Sequence, residues 1–234
     1  MLNKIISTIC SAWYFLTEPV KLMLARRSWV DRFNPLISVY IPTLNRPRLL
    51  WERGLKSVLD QTYKNIEIII ADDTLFTGRK PKDPKDSWLL GPTYASNAAL
   101  KKCRGQWIAR NDDDDIWTPD HLEKLLRFAQ QGNYEFVSAA SETVRHGKKE
   151  IVRQQNDYPF GGIQTTLYRS YLKCFKFNKH CWRKKWNRNN DIDLPVRMFN
   201  AGVRMGFLNE VVVKVLPRPG EETIGLEALL GEKK

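Results

Sequence analysis

The sequence predicts an α/β domain that contains a parallel βαβ unit, and three observations support this prediction. Residues 37–41 form a short β-branched run that stops at Pro42, which is typical of a strand followed by a loop. A segment that opens at Pro47 carries apolar residues at helical spacing. Residues 66–71 are then nearly all apolar, as in strands buried on both faces of a parallel sheet. Strand, helix and strand in this order place a ligand site beyond the carboxyl ends of the strands.

The remaining elements follow from the same signals. Residues 77–87 hold Gly78, Pro81 and Pro84 among many charges, so we expect a surface loop there. Helices are expected at residues 92–102 and 121–130 and around residues 196–198 with an end at Gly202, strands at 107–110, 134–140 and 211–216, and a turn at 161–167. From Pro217 onward we expect a loosely held tail.

Length and composition favour one packed domain with an acidic partner. The 234 residues suffice for one full-sized domain, and a hydrophobic content of 42% with eight Trp excludes a disordered chain. The net charge of +12 favours a nucleic acid, an anionic lipid or a phosphorylated ligand as partner. The four cysteines show no paired spacing, which fits reduced thiols in the cytoplasm. Cys174, His180 and Cys181 could bind zinc, but a fourth ligand is not evident.

Residues 1–34 form a separate N-terminal segment that is rich in apolar and aromatic residues. Glu18, Pro19 and Lys21 interrupt it, so it lacks the run of about 20 apolar residues that a membrane span needs. No cleavage site for a signal peptide follows. Two interpretations stay open: an amphipathic helix in the interface of an anionic leaflet, or a helix packed on the flank of the domain. The first adds peripheral contact with the inner membrane face to a cytoplasmic location.

An acidic run, residues 111–115, follows the third expected strand. Four consecutive carboxylates repel one another unless cations or hydrogen-bond donors balance them. By itself the run could be a solvated turn that caps the next helix. Three strands, however, end in the polar loops at residues 42–43, 72–73 and 112–115, which predicts that these loops meet at one edge of the sheet.

A basic stretch, residues 169–188, interleaves Lys and Arg with aromatic residues and contains no acid. Such a pattern can bind phosphates and stack on bases or sugars. The alternative is a solvated basic face whose aromatic side chains point into the core. The interleaved residues are Lys173, Phe175, Lys176, Phe177, Lys179, Trp182, Arg183, Lys184, Lys185 and Trp186.

Four stretches, in this order, resemble family 2 glycosyltransferases, which have the GT-A fold. They are residues 37–47, residues 57–63 with Asp72-Asp73-Thr74, residues 105–122 with Asp112-x-Asp114 and Trp117-x-Pro119-Asp120, and residues 190–202. The resemblance implies a GT-A, Rossmann-like mixed sheet flanked by helices in one domain at residues 35–216. The nucleotide-binding half would be residues 35–140 and the acceptor half residues 141–216, with residues 217–234 as the C-terminal tail.

The resemblance also implies a reaction and its residues. A family member moves a sugar from a nucleoside diphosphate donor, here expected to be a UDP-sugar, to a hydroxyl of a glycan, lipid-linked or protein acceptor, with inversion, as in polysaccharide synthesis. Carried over by position, the nucleoside would be held by Pro42, Thr43 and Asp73, the ribose by Asp112 or Asp113, and a Mn²⁺ or Mg²⁺ ion by Asp114 with Asp112, while Asp191 would be the general base.

Two departures from the family pattern stand out. Asn190 replaces a usual Glu before the base, which puts acceptor choice in doubt, and Ser96 replaces a usual Arg, which removes one cation for the diphosphate. Asp193 competes with Asp191 for the role of base, and either residue could instead cap a helix.

Two rival functions remain at this stage. A nucleotidyltransferase would usually carry a Gly-rich phosphate loop after its first strand, and residues 42–47 contain no Gly. A non-catalytic basic module that binds nucleic acid or anionic membrane would account for the charge, but no nucleic-acid-binding motif is present, so we expect no nucleic-acid partner.

Overall fold

The computed structural model describes residues 2–27, 29–30, 32–154, 158–183 and 189–231. The strands are β1 Ile37–Thr43, β2 Ile66–Asp72, β3 Trp107–Arg110, β4 Asp115–Trp117, β5 Phe136–Arg145, β6 Lys148–Val152, β7 Leu167–Arg169 and β8 Met205–Val215. The helices are α1 Leu2–Arg26, α2 Pro47–Leu49, α3 Lys56–Leu59, α4 Pro84–Leu90, α5 Thr93–Lys102, α6 His121–Gln131, α7 Asn190–Asn200 and α8 Gly225–Leu230. A π-helical turn, Leu50–Leu55, joins α2 to α3.

The strands form one mixed sheet in the order β2-β1-β3-β7-β5-β8-β4, with β6 paired to β5. Strands β2, β1 and β3 are parallel, and Thr43 at the end of β1 pairs with Asp72 at the end of β2. Strand β7 is antiparallel to both β3 and β5, and β4 is antiparallel to β8. The predicted α/β class and the predicted βαβ unit are therefore confirmed, and the carboxyl ends of the first three strands share one edge.

The centre of the sheet is covered on both faces, and side chains that alternate along a strand enter two different cores. Val39 points into a core under α6, while the next residue, Tyr40, points into a second core under α5, and neither is exposed. Burial on both faces explains why β1 and β3 are almost wholly apolar in sequence. Leu194 and Met198 of α7 and Leu22 of α1 belong to the second core.

Helix α1 packs on α7 and on the neighbouring turns Ser170–Cys174 and Cys181–Arg183. Its buried side chains are Glu18 and Leu22, and most of its other side chains are exposed or half-buried. Among the described residues, no helix combines the length and the apolar character that crossing a membrane requires. The helix therefore packs on the flank of the domain and still presents a large surface to solvent.

Four local expectations differ from the structure. The segment from Pro217 onward, expected to be a loosely held tail, contains α8, and its Arg218 forms an ion pair with Asp114. The expected loop at residues 77–87 contains the start of α4, where the Asp83 side chain accepts a hydrogen bond from the Asp86 N–H and Pro84 opens the helix. Strand β5 continues past residue 140 and turns back into β6 through His146 and Gly147, both at positive φ. The hairpin between β5 and β6 was not predicted because a His-Gly pair is a weaker turn signal than Asn-Gly. The last strand begins at Met205 rather than at residue 211.

Candidate active site

The acidic run begins with a residue that anchors it. Asn111 donates hydrogen bonds to the Gly54 carbonyl at 3.1 Å and to Ser57 Oγ at 3.2 Å, and its own side-chain oxygen accepts from the Asp112 N–H. Gly54 lies so close to the run that a Cβ there would be 2.7 Å from the Asp112 carbonyl oxygen. The π-helical turn thus packs directly against the backbone of the acidic run, and only glycine fits at that contact.

Two consecutive carboxylates of the run, Asp113 and Asp114, are paired with arginines. Arg46 bridges both, at 2.8 Å to Asp113 Oδ1 and 3.1 Å to Asp114 Oδ2. Arg218 also contacts Asp114 Oδ2, at 2.8 Å, from the segment that follows the last strand. Thr43 Oγ1 donates to Asp113 Oδ2 at 2.7 Å, so the end of β1 meets the end of β3. Burial raises the pKa of Asp113, while Arg46 opposes this rise.

Asp112 and Asp191 meet at a single buried guanidinium, that of Arg110. Its Nη2 lies 2.8 Å from Asp112 Oδ1, and its Nη1 donates to Asp191 Oδ1 at 2.7 Å. The Arg110 side chain is 2% exposed, whereas the two carboxylates are 25% and 29% exposed. Burial lowers the pKa of Arg110, but the two carboxylates outweigh burial and raise it. Asp112 and Asp191, which are 79 positions apart in the sequence, thus form ion pairs with the same arginine.

Burial and neighbouring carboxylates raise the pKa of two residues of the run, Asp112 and Asp115. Burial raises the pKa of Asp112 to about 6; Arg110 opposes the rise, and the Asp191 and Asp114 carboxylates add to it. The pKa of Asp115 is raised well above its usual value by burial and by the carboxylates of Asp114 and Asp112. Additional positive charge at this edge would therefore be stabilising.

Asp73, which follows β2, is buried and only partly satisfied. Lys80 donates to its Oδ2, and its Oδ1 has no hydrogen-bond partner among the described residues. A buried carboxylate oxygen without a donor is costly in a folded protein, so this atom is a candidate acceptor for a ligand N–H. Pro42, the remaining nucleoside-binding candidate, lies in β1 opposite Ala71 and is buried.

The N-terminus of α7 separates the roles of its carboxylates. Asn189, not Asp191, caps the helix by accepting from the Ile192 N–H at 3.0 Å. Asp193 is 1% exposed and forms an ion pair with Arg197 at 2.8 Å. Asp191 Oδ1 accepts from Arg110, and its Oδ2 has no described partner. Of the two candidate bases, Asp191 is the one that faces the acidic run, while Asp193 is enclosed.

The basic stretch divides between core and surface. Phe175 and Phe177 are each 1% exposed, so they cannot stack on a base or a sugar from solvent. Arg183 lies 4.1 Å above the Trp182 ring, and Cys181 donates its thiol to the Leu89 carbonyl. Within the described residues, no three His, Cys, Asp or Glu side chains group as metal ligands. Lys184, Lys185 and Trp186 lie outside the described residues.

Sequence reasoning missed the cations of this site: Arg46, Arg53, Arg110 and Arg218. Arg110 was visible as the last residue of β3, directly before the acidic run, but an arginine in a short buried strand gives no signal of its own. Arg53 donates to the backbone carbonyls of Asp114 and Pro217, which brings the C-terminal segment against the run. Two cavities of about 470 and 440 Å³ lie elsewhere and contain none of the predicted site residues.

The carboxylates of Asp112 and Asp114 have the oxygen ligands that a divalent metal ion prefers, although the described residues contain no group of three such side chains. Each of these two carboxylates has one oxygen paired with an arginine, and its second oxygen has no ion pair in the described part of the chain. Mg²⁺ typically binds through one or two carboxylates together with substrate phosphates and water.

The family model described as Glycosyl transferase family 2 matches residues 38–75 and 86–210, which is more than half of the chain. The chain belongs to glycosyl transferase family 2. The match ends within β8 and includes every residue that was singled out above from the sequence as a site candidate.

Among the relatives of this family 2 glycosyl transferase is the UDP-Glc:alpha-D-GlcNAc-diphosphoundecaprenol beta-1,3-glucosyltransferase WfgD of Escherichia coli. The two are 27% identical over 162 residues, which cover 61% of this chain and 64% of WfgD. The chain thus spans less than two thirds of that relative's length, and other curated relatives are covered over smaller shares.

Solved structures confirm the fold. Staphylococcus aureus TarS 1-349 in complex with UDP gives a TM-score of 0.55 at 18% identity, over 78% of this chain and 61% of that one. The mannosyltransferase PcManGT from Pyrobaculum calidifontis, in complex with GDP-Man and Mn²⁺, gives 0.55 at 15% identity, over 94% and 70%. At these identities the likeness is one of fold, and it agrees with the GT-A architecture expected from the sequence.

Proposed function

We propose that the chain transfers a sugar from a nucleoside diphosphate sugar to an acceptor hydroxyl with inversion of the anomeric carbon. The observation that carries this proposal is the Arg110 bridge between Asp112 of the strand-end run and Asp191 of α7. Inversion needs a base on one side of the sugar and the leaving diphosphate on the other. The Arg110 bridge brings the candidate base next to the strand-end run, where the diphosphate would be bound, and both carboxylates are partly open to solvent.

The donor is proposed to be a UDP-sugar. WfgD is named for a UDP-Glc donor, and TarS was solved with UDP, which supports uridine as the nucleoside. In this chain the unsatisfied Asp73 Oδ1 would accept a hydrogen bond from the N–H of the uracil ring. Pro42 and Thr43 would line the nucleoside, and Asp112 or Asp113 would contact the ribose.

Asp191 is proposed to act as general base through Oδ2. Arg110 holds the other oxygen, Oδ1, and thereby fixes the orientation of the carboxylate. The acceptor oxygen forms its bond to the anomeric carbon as the bond to the diphosphate breaks; the bonding pair leaves with the diphosphate, and the acceptor proton passes to Asp191. Asp112 and Asp114 would hold a Mn²⁺ or Mg²⁺ ion, which when bound neutralises charge on the diphosphate.

The acceptor is proposed to be a glycan, and the lipid-linked class has the most support. The name of WfgD specifies a diphosphoundecaprenol-linked acceptor.

Asn190, which replaces the usual acid before the base, is 2% exposed and lies against Gly91, where a Cβ would be 2.8 Å from Asn190 Oδ1. Asn190 therefore has a packing role beside α4.

The test is release of nucleoside diphosphate from UDP-sugars and GDP-mannose, with an acceptor panel, in Mn²⁺, in Mg²⁺ and after chelation. We expect turnover with a UDP-sugar, loss of turnover after chelation, and a 10²- to 10⁴-fold lower kcat for Asp191→Asn. Asp60→Asn, an exposed aspartate in a helical i,i+4 pair with Lys56, is the matched control and should keep wild-type kcat. Equal turnover by Asp191→Asn and wild type would remove Asp191 from the mechanism.

The alternative, a non-catalytic basic module, is weakened by one observation. Two of the aromatic residues that would have stacked on nucleic acid, Phe175 and Phe177, are in the core. Binding that is steeply salt-dependent on RNA or DNA, in a protein without transfer activity, would favour the module instead.

A further inference from the structure

Helix α1 turns its apolar side chains toward solvent. Eight large apolar residues on it are each about half exposed or more, and all but Phe15 share one side of the helix: Ile5, Ile9, Trp13, Leu16, Val20, Met23 and Leu24. Their spacing of three and four residues places them on one side of an α-helix, opposite the buried Glu18 and Leu22. A surface helix of a globular protein normally has the reverse arrangement, with its apolar stripe on the core. We call these seven residues the outward stripe.

Buried polar contacts fix the orientation of α1 about its own axis, and they hold the outward stripe toward solvent. Glu18 forms an ion pair with Arg197 of α7, and the two side chains are 4% and 9% exposed. At the end of the helix, Arg26 forms an ion pair with Glu135, whose side chain is fully buried, and donates to the Gly202 carbonyl. Rotating the stripe inward would separate both pairs and leave buried charges without partners.

The protein around α1 is strongly basic. The helix contacts the turns Ser170–Cys174 and Cys181–Arg183, and the described part of the basic stretch, residues 169–183, contains five Lys and Arg and no acid. Lys21 on the helix and Arg27 directly after it are exposed, and the whole chain carries a net charge of +12. A large apolar stripe next to a field of positive charge is complementary to a bilayer surface with anionic lipids.

We propose that α1 docks the protein on the surface of a membrane that contains anionic lipids. The outward stripe would lie in the interface between headgroups and acyl chains, with Trp13 at the depth that aromatic residues prefer, and the positive charge of the protein behind the helix would attract the anionic headgroups. Positive charge disfavours a second copy of the chain as the occupant, because two such surfaces would repel each other.

The docked orientation has a consequence for the site. Arg197 joins Glu18 of α1 to Asp193 of α7, two residues after Asp191, so the helix at the membrane is coupled directly to the helix that presents the candidate base. If the chain is the proposed transferase, docking of α1 would hold the candidate base close to acceptors at the membrane surface, and this consequence rests on the proposed function. The docking itself needs no catalysis, so a vesicle-binding assay tests it separately.

The experiment is flotation of the full chain with vesicles of phosphatidylcholine alone or mixed with phosphatidylglycerol, at low and high salt. We expect binding to the mixed vesicles, weaker binding at high salt, and little binding to phosphatidylcholine alone. Leu16→Glu places a charge within the outward stripe and should reduce binding at least about tenfold. Ser11→Glu adds the same charge at an exposed position off the stripe and should reduce binding much less.

Thermal unfolding of both variants shows whether the helix and domain remain folded, and Leu16 is 69% exposed, so we expect no loss of stability. Three results would overturn the proposal: no flotation of the wild-type chain with anionic vesicles, equal binding by Leu16→Glu and wild type, or a dimer in sedimentation velocity that Leu16→Glu dissolves. The last result would assign the outward stripe to a second copy.

Discussion

Two buried arginines in this protein each join two carboxylates, and the two clusters differ in one respect. Arg110 joins Asp112 to Asp191, and both carboxylates are at least a quarter exposed. Arg197 joins Asp193 to Glu18, and these carboxylates are 1% and 4% exposed. The first cluster therefore opens to solvent and the second is enclosed, although both draw one carboxylate from the first turns of α7.

This difference in exposure distinguishes a cluster that a ligand can reach from a structural joint, meaning an ion-pair cluster that only holds two elements together. An enclosed ion pair can only hold elements together, here α1 to α7, because no ligand can reach its oxygens. An open one can exchange a protein partner for a substrate or a metal ion. The sequence shows Asp191 and Asp193 as equivalent candidates, and the environment of each arginine distinguishes them. Four predictions test this distinction, from the largest expected effect to the smallest.

Arg197→Met should lower the free energy of unfolding by about 3–5 kcal/mol, because Glu18 and Asp193 would remain buried without their cation. Urea unfolding measures the change. The control is Arg48→Met, which removes an exposed helical pair with Glu52 and should leave the midpoint nearly unchanged. A small effect of Arg197→Met would mean that the joint is not a source of stability.

Arg110→Met should show the opposite balance, with a larger effect on kcat than on stability. We expect kcat to fall about 10²-fold because the Asp191 carboxylate loses its fixed orientation, while both carboxylates can still be solvated. Arg110→Lys, which restores the charge but not the two-armed geometry, should recover part of kcat. If Arg110→Met instead lost stability as Arg197→Met does and kept its kcat, the two clusters would be equivalent.

Gly54→Ala should displace the backbone of the acidic run, which carries Asp112 of the open cluster. The added Cβ would be 2.7 Å from the Asp112 carbonyl oxygen and 2.9 Å from Asp113 Cα, and backbone atoms cannot give way as a flexible side chain can. We expect a loss of about 1–3 kcal/mol in the free energy of unfolding, with reduced kcat. Gly78→Ala, where a Cβ meets no atom within 4 Å, is the control. Wild-type stability of Gly54→Ala would show that the acidic run can move.

Glu135→Gln tests the second enclosed anchor of α1 through its pH dependence. Burial alone would raise the pKa of Glu135, but hydrogen bonds from Arg26, Tyr171 and the Arg204 N–H lower it below the usual 4.5. A lowered folded-state pKa stabilises the protein above about pH 4.5, and this stabilisation is lost as the pH falls through and below that value.

We therefore expect Glu135→Gln to be less stable than wild type at neutral pH, on the order of 1 kcal/mol, with a difference that shrinks on acidification. Urea unfolding at a series of pH values from neutral to acidic measures it, with the exposed Glu52→Gln as control. A difference that stays constant with pH would mean that the charge of Glu135 is not what anchors the helix.

The first half of the chain was more predictable than the second for a physical reason. Strands β1 and β3 are buried on both faces, whereas the edge strand β2 is only half-buried, but the apolar runs and the strand-end carboxylates of all three are visible as local patterns. Strand β5 pairs with β8, some 70 residues later, and its hairpin with β6 turns at His146 and Gly147. Such pairings depend on long-range contacts that leave a weak local signal.

The site shows the same limit at the scale of single residues. Family resemblance singled out Asp112, Asp114 and Asp191 as candidate site residues. It could not show that Arg110 lies between Asp112 and Asp191. It also could not show that Arg218, beyond the final strand, returns to Asp114. Both arginines act through partners that are distant in sequence, so neither has a neighbour in the chain that would reveal its role.

By itself, the sequence determined the βαβ unit, the strand-end acidic run and the membership of a sugar-transferase family, because these depend on short-range patterns and ordered motifs. Tertiary structure alone decided which carboxylate of α7 is open, which arginine holds it, and which face of α1 meets solvent. Those outcomes depend on burial, and burial is set by what packs against a side chain in space rather than by its position in the chain.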